Sequence, residues 1–252
     1  MKLRGYLTLG CVGLVLLTAD VIQRTIVSLA VKVLPSKRDR ILGRWQKLMA
    51  HSMIFIVRRV GGGDVEEPPP IPGRPGVLIL MNHQSLLDIP LVVASVDDLY
   101  PRIVTRARYA SGKPLISHMI RLYQYPLVGP RATTRKHLKG LAAAATENTT
   151  PVVIFPEGTR SRDGEIGPWK RRGLAQLLAA RSWEVYLLVA DGFWQAATLD
   201  DFLTSVSSVE GRVTRLGPFV SPEPGQPLDP FIEDMHNQML AGLASLRTPA
   251  RA

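Results

Sequence analysis

Short apolar runs alternate with segments of helical periodicity over residues 77–247, and this alternation most constrains the fold. A short apolar run bounded by turn residues suits a buried strand, whereas apolar residues three and four positions apart suit a helix packed on one face. Strands that alternate with helices build a sheet covered by helices, so the sequence predicts an α/β domain. The predicted strands are 77–81, 102–105, 126–128, 152–155, 185–190 and 212–220, and the predicted helices are 111–123, 133–148, 169–182, 194–206 and 230–246.

A segment rich in glycine and proline at residues 61–76 separates this domain from an apolar N-terminal region. The segment holds a glycine triplet and several prolines, a composition that disfavours both helices and central strands. A chain of 252 residues suits one sizeable core with an appendage better than two large domains. We therefore expect membrane-anchoring helices over residues 1–60, a linker over 61–76, an α/β domain over 77–247 and a short tail over 248–252.

The N-terminal region is first apolar and then basic and amphipathic. No charged residue occurs from residue 5 to residue 19, and the apolar character resumes after Asp20 and Arg24. A signal peptide, a membrane-spanning helix and a helix in the membrane interface each fit part of this pattern, although no clean cleavage site follows and the two charges interrupt the spanning window. We expect membrane anchoring by this region and by an amphipathic helix over residues 36–60, with spanning by residues 5–34 left open.

The net charge is concentrated in the same region. Residues 1–60 contain eleven Lys or Arg against two Asp, for a net charge of +9, while the remaining 192 residues carry +1 of the total of +10. A basic excess limited to one apolar terminus favours an anionic membrane surface and disfavours a nucleic-acid groove. The only cysteine, Cys11, excludes an internal disulfide, and no Cys/His spacing suits a metal ion, so we expect no metal. We expect the chain at the cytoplasmic face of the cell membrane.

The segment Asn82 to Asp88, with the sequence Asn-His-Gln-Ser-Leu-Leu-Asp, combines a base with a carboxylate. On one continuous helix, the five-residue spacing of His83 and Asp88 would place the two side chains about 140° apart. If the strand ends at Met81 and a helix starts near Asp88, as Pro90 favours, the side chains converge. Asp88 would then accept a hydrogen bond from one ring nitrogen of His83, and the other nitrogen would remove a proton from a substrate hydroxyl.

The same segment also has a purely structural interpretation. Ser85 to Asp88 matches a capping box, in which Asp88 closes a helix start at Ser85 and has no chemical role. A helix capped at Ser85 would place Pro90 deeper inside the helix than proline prefers, which weakens this alternative. On its own, a histidine and an aspartate at this spacing are a weak sign of catalysis, since such a pair arises readily by chance.

A second segment, Phe155 to Ser161, follows a predicted strand with the sequence Phe-Pro-Glu-Gly-Thr-Arg-Ser. Gly158 permits a positive φ and the close approach of a ligand. Arg160 offers the planar donor fork that suits a phosphate, and Glu157 would accept hydrogen bonds from polyol hydroxyls or orient a cation. An ordinary surface Glu/Arg pair is the alternative. Together, a base and a phosphate-binding turn indicate acyl transfer to a phosphorylated polyol.

The two segments resemble the NHxSxxD and FPEGTRS boxes of the 1-acylglycerol-3-phosphate acyltransferases and their glycerolipid acyltransferase relatives. Both boxes are complete, and the resemblance covers about residues 77–190. It implies a mixed sheet flanked by helices and a reaction without a covalent acyl-enzyme. It also implies that His83 acts as general base on the acceptor hydroxyl and that Asp88 orients the imidazole. Acyl-CoA or acyl carrier protein would be the co-substrate, with no cofactor.

The resemblance implies further binding residues. The middle box of the family ends in an arginine that contacts the acceptor phosphate, and a loosely matching stretch places Arg131 there. An upstream basic residue with the same role corresponds to Arg106 or Arg108, and both stay open. Residues 185–190 lack the proline of the fourth box, which leaves the acyl or acceptor preference open. The acceptor-binding candidates are Arg106, Arg108, Arg131, Glu157, Gly158, Thr159 and Arg160, and the acyl-donor candidates are Lys170, Arg171 and Arg172, which also suit a solvated helix start.

The function that the resemblance implies is acyl transfer to lysophosphatidic acid, which gives phosphatidic acid for phospholipid synthesis. Glycerol-3-phosphate or another lysophospholipid is the alternative acceptor within the same chemistry. A non-catalytic lipid-binding membrane scaffold is the alternative of another class, and the intact boxes disfavour it because a scaffold does not need His83. The expected partners are a membrane phospholipid surface, lysophosphatidic acid and the thioester donor, and no nucleic acid.

Overall fold

The computed structural model describes residues 2–129, 135–147 and 149–248, and these contain eight strands and nine α-helices. Arg131, expected to contact the acceptor phosphate, lies outside the described residues. The strands are β1 (Asp64–Val65), β2 (Val77–Met81), β3 (Arg102–Ile103), β4 (Thr105–Arg106), β5 (Leu127–Val128), β6 (Val152–Ile154), β7 (Glu184–Asp191) and β8 (Glu210–Val220). The helices are α1 (Lys2–Ile22), α2 (Ser28–Val33), α3 (Arg38–Ile56), α4 (Asp88–Ser95), α5 (Ile116–Leu122), α6 (Arg135–Thr146), α7 (Arg171–Leu178), α8 (Leu199–Ser205) and α9 (Asp229–Arg247).

The predicted elements are present, with shifted ends. The predicted strand 77–81 coincides with β2, while the predicted strand 102–105 divides into β3 and β4. The predicted helix 111–123 shortens to α5, and the helix expected over residues 36–60 forms α3 and a π-helical turn at Val57–Gly61. Hydrophobic periodicity therefore locates the elements well and their ends less well, because capping and packing decide where an element stops.

Six strands form one mixed sheet in the order β1-β8-β7-β2-β6-β3. The central strand β2 pairs in parallel with β6 on one side and with β7 on the other, and β7 pairs with β8 in antiparallel orientation. The short strands β4 and β5 form a separate parallel pair. The mixed sheet flanked by helices is therefore confirmed, and the carboxyl ends of β2, β6 and β7 lie at the same edge.

The sheet separates two apolar cores, because successive residues of β2 face opposite sides. Ile79 and Met81 pack with Leu42 of α3 and Leu91 of α4, whereas Leu78 packs on the other side with residues of α7 and α9. Every side chain of β2 is buried. A strand covered on both faces is apolar throughout, which is why β2 is predictable from the sequence.

The N-terminal helices and the glycine- and proline-rich segment belong to the same folded body, which differs from the expected division at residues 60 and 76. Leu42 and Ile54 of α3 are buried in the core that contains Ile79, and β1 of the expected linker pairs with β8. In the same segment, a Cβ at Gly73 would lie 1.5 Å from the carbonyl oxygen of Asp97. Glycine there permits close packing and does not provide flexibility, which is the physical reason for the difference.

The N-terminal helical stretch Lys2–Val33 joins α1 to α2 through a π-helical turn at Gln23–Val27. Its 32 residues include an 18-residue window with a mean hydropathy of 1.8, and only 17% of that window is buried. The stretch is therefore long and apolar enough to cross a membrane, by length and composition.

Polar contacts attach this stretch to the domain at two of the residues that interrupt its apolar character. Asp20 accepts a hydrogen bond of 2.8 Å from the backbone N–H of Leu115. The buried side chain of Gln23 accepts a hydrogen bond of 3.0 Å from Trp45 and lies 3.0 Å from the Nδ1 atom of His118. These polar residues therefore have a docking role that their position in an apolar run does not reveal.

Close packing of α1 on α8 leads to a stability prediction. A Cβ at Gly5 would lie 1.9 Å from the carbonyl oxygen of Leu203, so alanine at this position forces the two helices apart. We expect Gly5→Ala to lower the free energy of unfolding by about 1–3 kcal/mol, the usual cost of overpacking. The matched control is Gly10→Ala, because no atom lies within 4 Å of a Cβ there and alanine favours a helix. Chemical unfolding in detergent measures both variants, and equal stability would contradict the contact.

Candidate active site

The turn between β2 and α4 brings His83 and Asp88 together. β2 ends at Met81, the chain turns through residues 82–87, and α4 begins at Asp88 with Pro90 in its first turn. The Nδ1 atom of His83 lies 2.6 Å from Oδ2 of Asp88, whose side chain is fully buried, while the His83 side chain is 21% exposed. The two side chains therefore meet as the turn geometry predicts, and their catalytic role stays a prediction.

Asp88 also holds the turn itself. Its Oδ2 atom accepts hydrogen bonds from the backbone N–H groups of Gln84 at 2.6 Å and Ser85 at 2.9 Å. The helix begins at Asp88 and not at Ser85, although the hydrogen bond from Ser85 N–H to Asp88 is the backbone half of a capping box. An ionised carboxylate only accepts hydrogen bonds, so in a neutral imidazole that donates to Asp88 through Nδ1–H, the Nε2 atom carries the lone pair. Nε2 is therefore the ring atom that a substrate hydroxyl would meet.

The residues on either side of His83 are amides that fasten it to the end of β7. Asn82 exchanges two hydrogen bonds of 2.8 Å with the backbone of Ala190, and Gln84 accepts one of 3.1 Å from the N–H of Phe193. Both amides are buried. The sequence-based prediction gives neither amide a role. The available signal is their position, since the two amides flank a histidine directly after a buried strand. They fix the backbone on both sides of the histidine.

Glu157 joins the second motif to the first. One carboxylate oxygen accepts a hydrogen bond of 2.9 Å from the backbone N–H of His83, and the other accepts one of 3.1 Å from Gly167. Glu157 is only 5% exposed, and burial raises the pKa of its carboxyl group although both hydrogen bonds oppose the shift. The backbone N–H of Ser161 also donates to the His83 carbonyl at 2.7 Å. The two motifs therefore form one site, and Glu157 links them. The contact of Glu157 with acceptor hydroxyls stays a prediction.

One arginine contacts the second motif, and another belongs to it. Arg106 donates a hydrogen bond to the carbonyl oxygen of Gly158, and Arg160 donates one to the carbonyl oxygen of Ala197. Arg108 instead lies over the ring of the neighbouring tyrosine, with its guanidinium carbon 4.9 Å from the ring centroid. Of the two upstream candidates, Arg106 is therefore the one placed at the second motif. A guanidinium carries five N–H donors, so both arginines retain donors for an anion.

Gly158 shapes the turn of the second motif. Its φ is +66°, and a Cβ there would lie 2.8 Å from the Nζ atom of Lys170, so glycine lets this lysine approach the turn. Thr159 is exposed beside it. Arg171 and Arg172 are also exposed and begin α7, where the helix dipole disfavours cations. The dipole of α7 therefore does not explain these two arginines, although Arg171 pairs with Asp229 of α9 at 3.6 Å. Donor binding by the basic group stays a prediction.

Proton transfer at His83 is the chemistry that this arrangement supports. The ring of His83 packs against Phe155, with ring centroids 4.4 Å apart, while Asp88 holds its Nδ1 atom. An imidazole held by a buried carboxylate suits a general base for an alcohol. In the part of the chain that the structure describes, no three His, Cys, Asp or Glu side chains are grouped so that they could hold a metal ion.

The fold and the paired motifs define an α/β protein of the acyltransferase class. The crystal structure of the 1-acyl-sn-glycerophosphate (LPA) acyltransferase PlsC from Thermotoga maritima has the same fold, with a TM-score of 0.72 and 18% sequence identity over 100% of both chains. The family model described as Acyltransferase matches residues 63–188, which is half of the chain and includes both motifs. This chain therefore belongs to the acyltransferase family. A comparison with curated protein sequences finds no match.

The raised pKa of Glu157 predicts how stability depends on pH. Because burial raises this pKa above its usual value of 4.5, the folded state binds the proton more tightly than the unfolded state. We compare the wild type with Glu157→Gln, which does not titrate. The advantage of the wild type in free energy of unfolding is greatest below about pH 4.5 and declines as the pH rises through the raised pKa. Urea unfolding across this range measures the difference, and an advantage that grows with pH would contradict the predicted sign.

Proposed function

We propose that this acyltransferase moves an acyl group from a thioester to the free hydroxyl of 1-acylglycerol-3-phosphate, which forms phosphatidic acid for phospholipid synthesis. The observation that carries the proposal is the 2.6 Å contact of His83 with Asp88, joined through Glu157 to the turn before Arg160. Membership of the acyltransferase family supports acyl transfer. The T. maritima protein of the same fold is described as an LPA acyltransferase, which supports this acceptor.

In this mechanism His83 activates the acceptor. Its Nε2 atom takes the hydroxyl proton as the oxygen attacks the thioester carbonyl, and the carboxylate of Asp88 stabilises the imidazolium that forms. When the tetrahedral intermediate collapses, the C–S bond breaks and the imidazolium returns the proton to the leaving thiolate. The products are an ester and a free thiol, so the reaction proceeds without a covalent enzyme intermediate or a cofactor.

Arginines around the second motif bind the acceptor phosphate in this proposal. Arg106 and Arg160 each donate to one backbone carbonyl and keep further N–H groups for phosphate oxygens. Arg131 joins them through its correspondence to the middle box of the family. Such guanidinium groups bind phosphate in a planar, bidentate geometry, which would hold the hydroxyl of the acceptor near the base.

The acyl donor meets an exposed basic surface in this proposal. Lys170, Arg171 and Arg172 are exposed at the start of α7, and the side chain of Lys170 lies beside Gly158 of the second motif. Their positive charge complements the phosphates of coenzyme A and also the acidic surface of a carrier protein. Acyl-CoA and acyl carrier protein are therefore both candidate donors.

The N-terminal helix favours a lipid acceptor over water-soluble glycerol-3-phosphate. The side chains of Leu14, Leu17 and Val21 are between 57% and 64% exposed and would be covered by lipid at a membrane. Because Asp20 docks the helix on the domain, this apolar face and the site belong to one body. We therefore propose that the enzyme acts at the cytoplasmic face of the membrane, where the basic residues of the N-terminal region meet anionic lipid.

Removal of the base tests the mechanism. We expect His83→Ala to lose thiol release from an acyl thioester by at least about a hundredfold, because general base catalysis supplies a factor of this size. The matched control is His51→Ala, since His51 is exposed on α3, and we expect wild-type turnover. Purified enzyme is assayed with lysophosphatidic acid, glycerol-3-phosphate and other lysophospholipids, and with each candidate donor. Unchanged turnover of His83→Ala refutes the mechanism, and release with glycerol-3-phosphate alone refutes the proposed acceptor.

The exposed apolar face of the N-terminal helix leads to a second test. Serine at Leu14, Leu17 and Val21 removes apolar area from this face, so we expect binding to anionic phospholipid vesicles to weaken by at least about tenfold. Co-sedimentation with vesicles measures binding, and undiminished binding of the triple variant would contradict the role of the helix. The matched control carries serine at three exposed apolar residues of the domain, Leu199, Val220 and Leu240.

A further inference from the structure

Arg247, the last residue of α9, joins two segments at the proposed site. Its Nε atom lies 3.0 Å from Oδ2 of Asp191 and its Nη2 atom lies 3.2 Å from Oδ1, at the end of β7. Its Nη1 atom lies 2.6 Å from the carboxylate of Glu165, and Nη2 donates to the carbonyl oxygen of Gly164 at 3.0 Å. One guanidinium therefore connects the end of β7 to the 161–167 loop that follows the second motif.

Arg247 and Glu165 are exposed, and solvent screens such an ion pair so that it contributes little. The pairing with Asp191 is more enclosed. The Asp191 side chain is only 18% exposed. Although burial alone would raise the pKa of Asp191, the hydrogen bonds from Arg247 and Gln84 lower it below its usual value. Gly164, with a φ of +84°, has no room for a Cβ, which would lie 2.7 Å from Trp194 and 2.9 Å from Arg247. The loop is therefore fitted closely around the guanidinium.

Gln84 links this cluster to the base. Its Nε2 atom donates to the carbonyl oxygen of Gly164 at 3.1 Å and lies 3.3 Å from Oδ1 of Asp191. Gln84 therefore shares both acceptors with Arg247. Because Gln84 directly follows His83 in the chain, the cluster begins one residue from the proposed base.

The two ends of the 161–167 loop are hydrogen-bonded to His83 and Glu157, one residue in each motif. At its start, Ser161 donates to the His83 carbonyl at 2.7 Å, and at its end Gly167 donates to Glu157 at 3.1 Å. Arg160 immediately precedes the loop. A shift of the loop therefore displaces Arg160 directly, whereas His83 is also held by the amides on either side of it.

We propose that Arg247 is a positioning residue that holds the 161–167 loop, and with it Arg160, in the geometry that binds the acceptor phosphate. The inference rests on the proposed acyl transfer and extends it, because it gives the C-terminal helix a part in acceptor binding. Arg247 needs no contact with the substrate for this role. Its loss frees the loop and weakens acceptor binding, while thioester binding at the basic surface at the start of α7 is unchanged.

Steady-state kinetics of the full-length enzyme in detergent micelles separate positioning from folding. We expect Arg247→Ala to raise the KM for lysophosphatidic acid by about tenfold at saturating thioester, with an unchanged KM for the thioester. Arg247→Lys retains the charge but loses the planar fork, so we expect its acceptor KM to lie between that of the wild type and that of Arg247→Ala. A merely structural role would reduce the amount of active enzyme, which lowers kcat and leaves both KM values unchanged.

Two further variants keep the test decisive if Arg247→Ala folds poorly. Glu165 is exposed, so Glu165→Gln weakens one contact of Arg247 without disturbing the core, and we expect a smaller rise in the acceptor KM. Arg74→Ala is the matched control, because Arg74 pairs with Glu184 at the start of β7 as Arg247 pairs with Asp191 at its end. We expect wild-type kinetics from Arg74→Ala.

An unchanged acceptor KM in both Arg247→Ala and Glu165→Gln overturns the inference. A rise of equal size in Arg74→Ala also overturns it, because the effect would then follow from any loss of an ion pair on β7. A wild-type enzyme that releases no thiol in response to lysophosphatidic acid overturns the proposed function and the inference with it, so the two failures are distinguishable.

Discussion

The parallel pairing of β2 with β6 determines where the site can form. The two strands run side by side as far as Leu80 and Ile154, which are partners in the register, so the loops that follow leave the same edge of the sheet. His83 and Glu157 each lie three residues beyond these partners, and there the carboxylate accepts the backbone N–H of the histidine. In open α/β folds, functional residues lie in the loops outside the carboxyl ends of the strands, which is the edge that these loops share. The remaining contacts of the site build on this one.

Two buried carboxylates make the centre of the site rigid. A buried charge is costly unless hydrogen bonds compensate it, and here the compensation comes mainly from the backbone of the motif loops. Asp88 accepts from Gln84 and Ser85 as well as from the imidazole, and Glu157 accepts from both loops. Either loop could change its conformation only by leaving a carboxylate unpaired.

The sequence predicts the parts of this architecture that depend on local pattern. The apolar run of β2 and the position of Pro90 locate the strand, the turn and the start of α4, and with them the approach of His83 to Asp88. The burial of Glu157 is not predictable in this way, because a charge after a strand has the same local pattern whether it faces solvent or a neighbouring loop. The sequence also cannot choose between candidates as close as Arg106 and Arg108. The folded backbone directs Arg106 to Gly158 and Arg108 to Tyr109.

Contacts between distant residues account for most of what the sequence does not predict. Gly73 belongs to a segment with the composition of a flexible linker, yet it packs against Asp97. Arg247 is a basic residue at the end of a helix, a common and stabilising arrangement, and its bonds to Asp191 and Glu165 exist only in the folded chain. Such roles require knowledge of which elements are neighbours, and hydrophobic periodicity carries little of that information.

The packing of Gly5 against Leu203 also bears on the order in which the molecule assembles. Because the chain is made from its N-terminal end, α1 leaves the ribosome long before α8, which covers one of its sides, has been made. Domains begin to fold during this synthesis. Until then both sides of this apolar helix lack cover, and a bilayer is the surface that shields it best. Early capture by lipid would make the bilayer the place where the sheet closes, so that the newly made protein would already lie beside the lipid acceptor proposed for it.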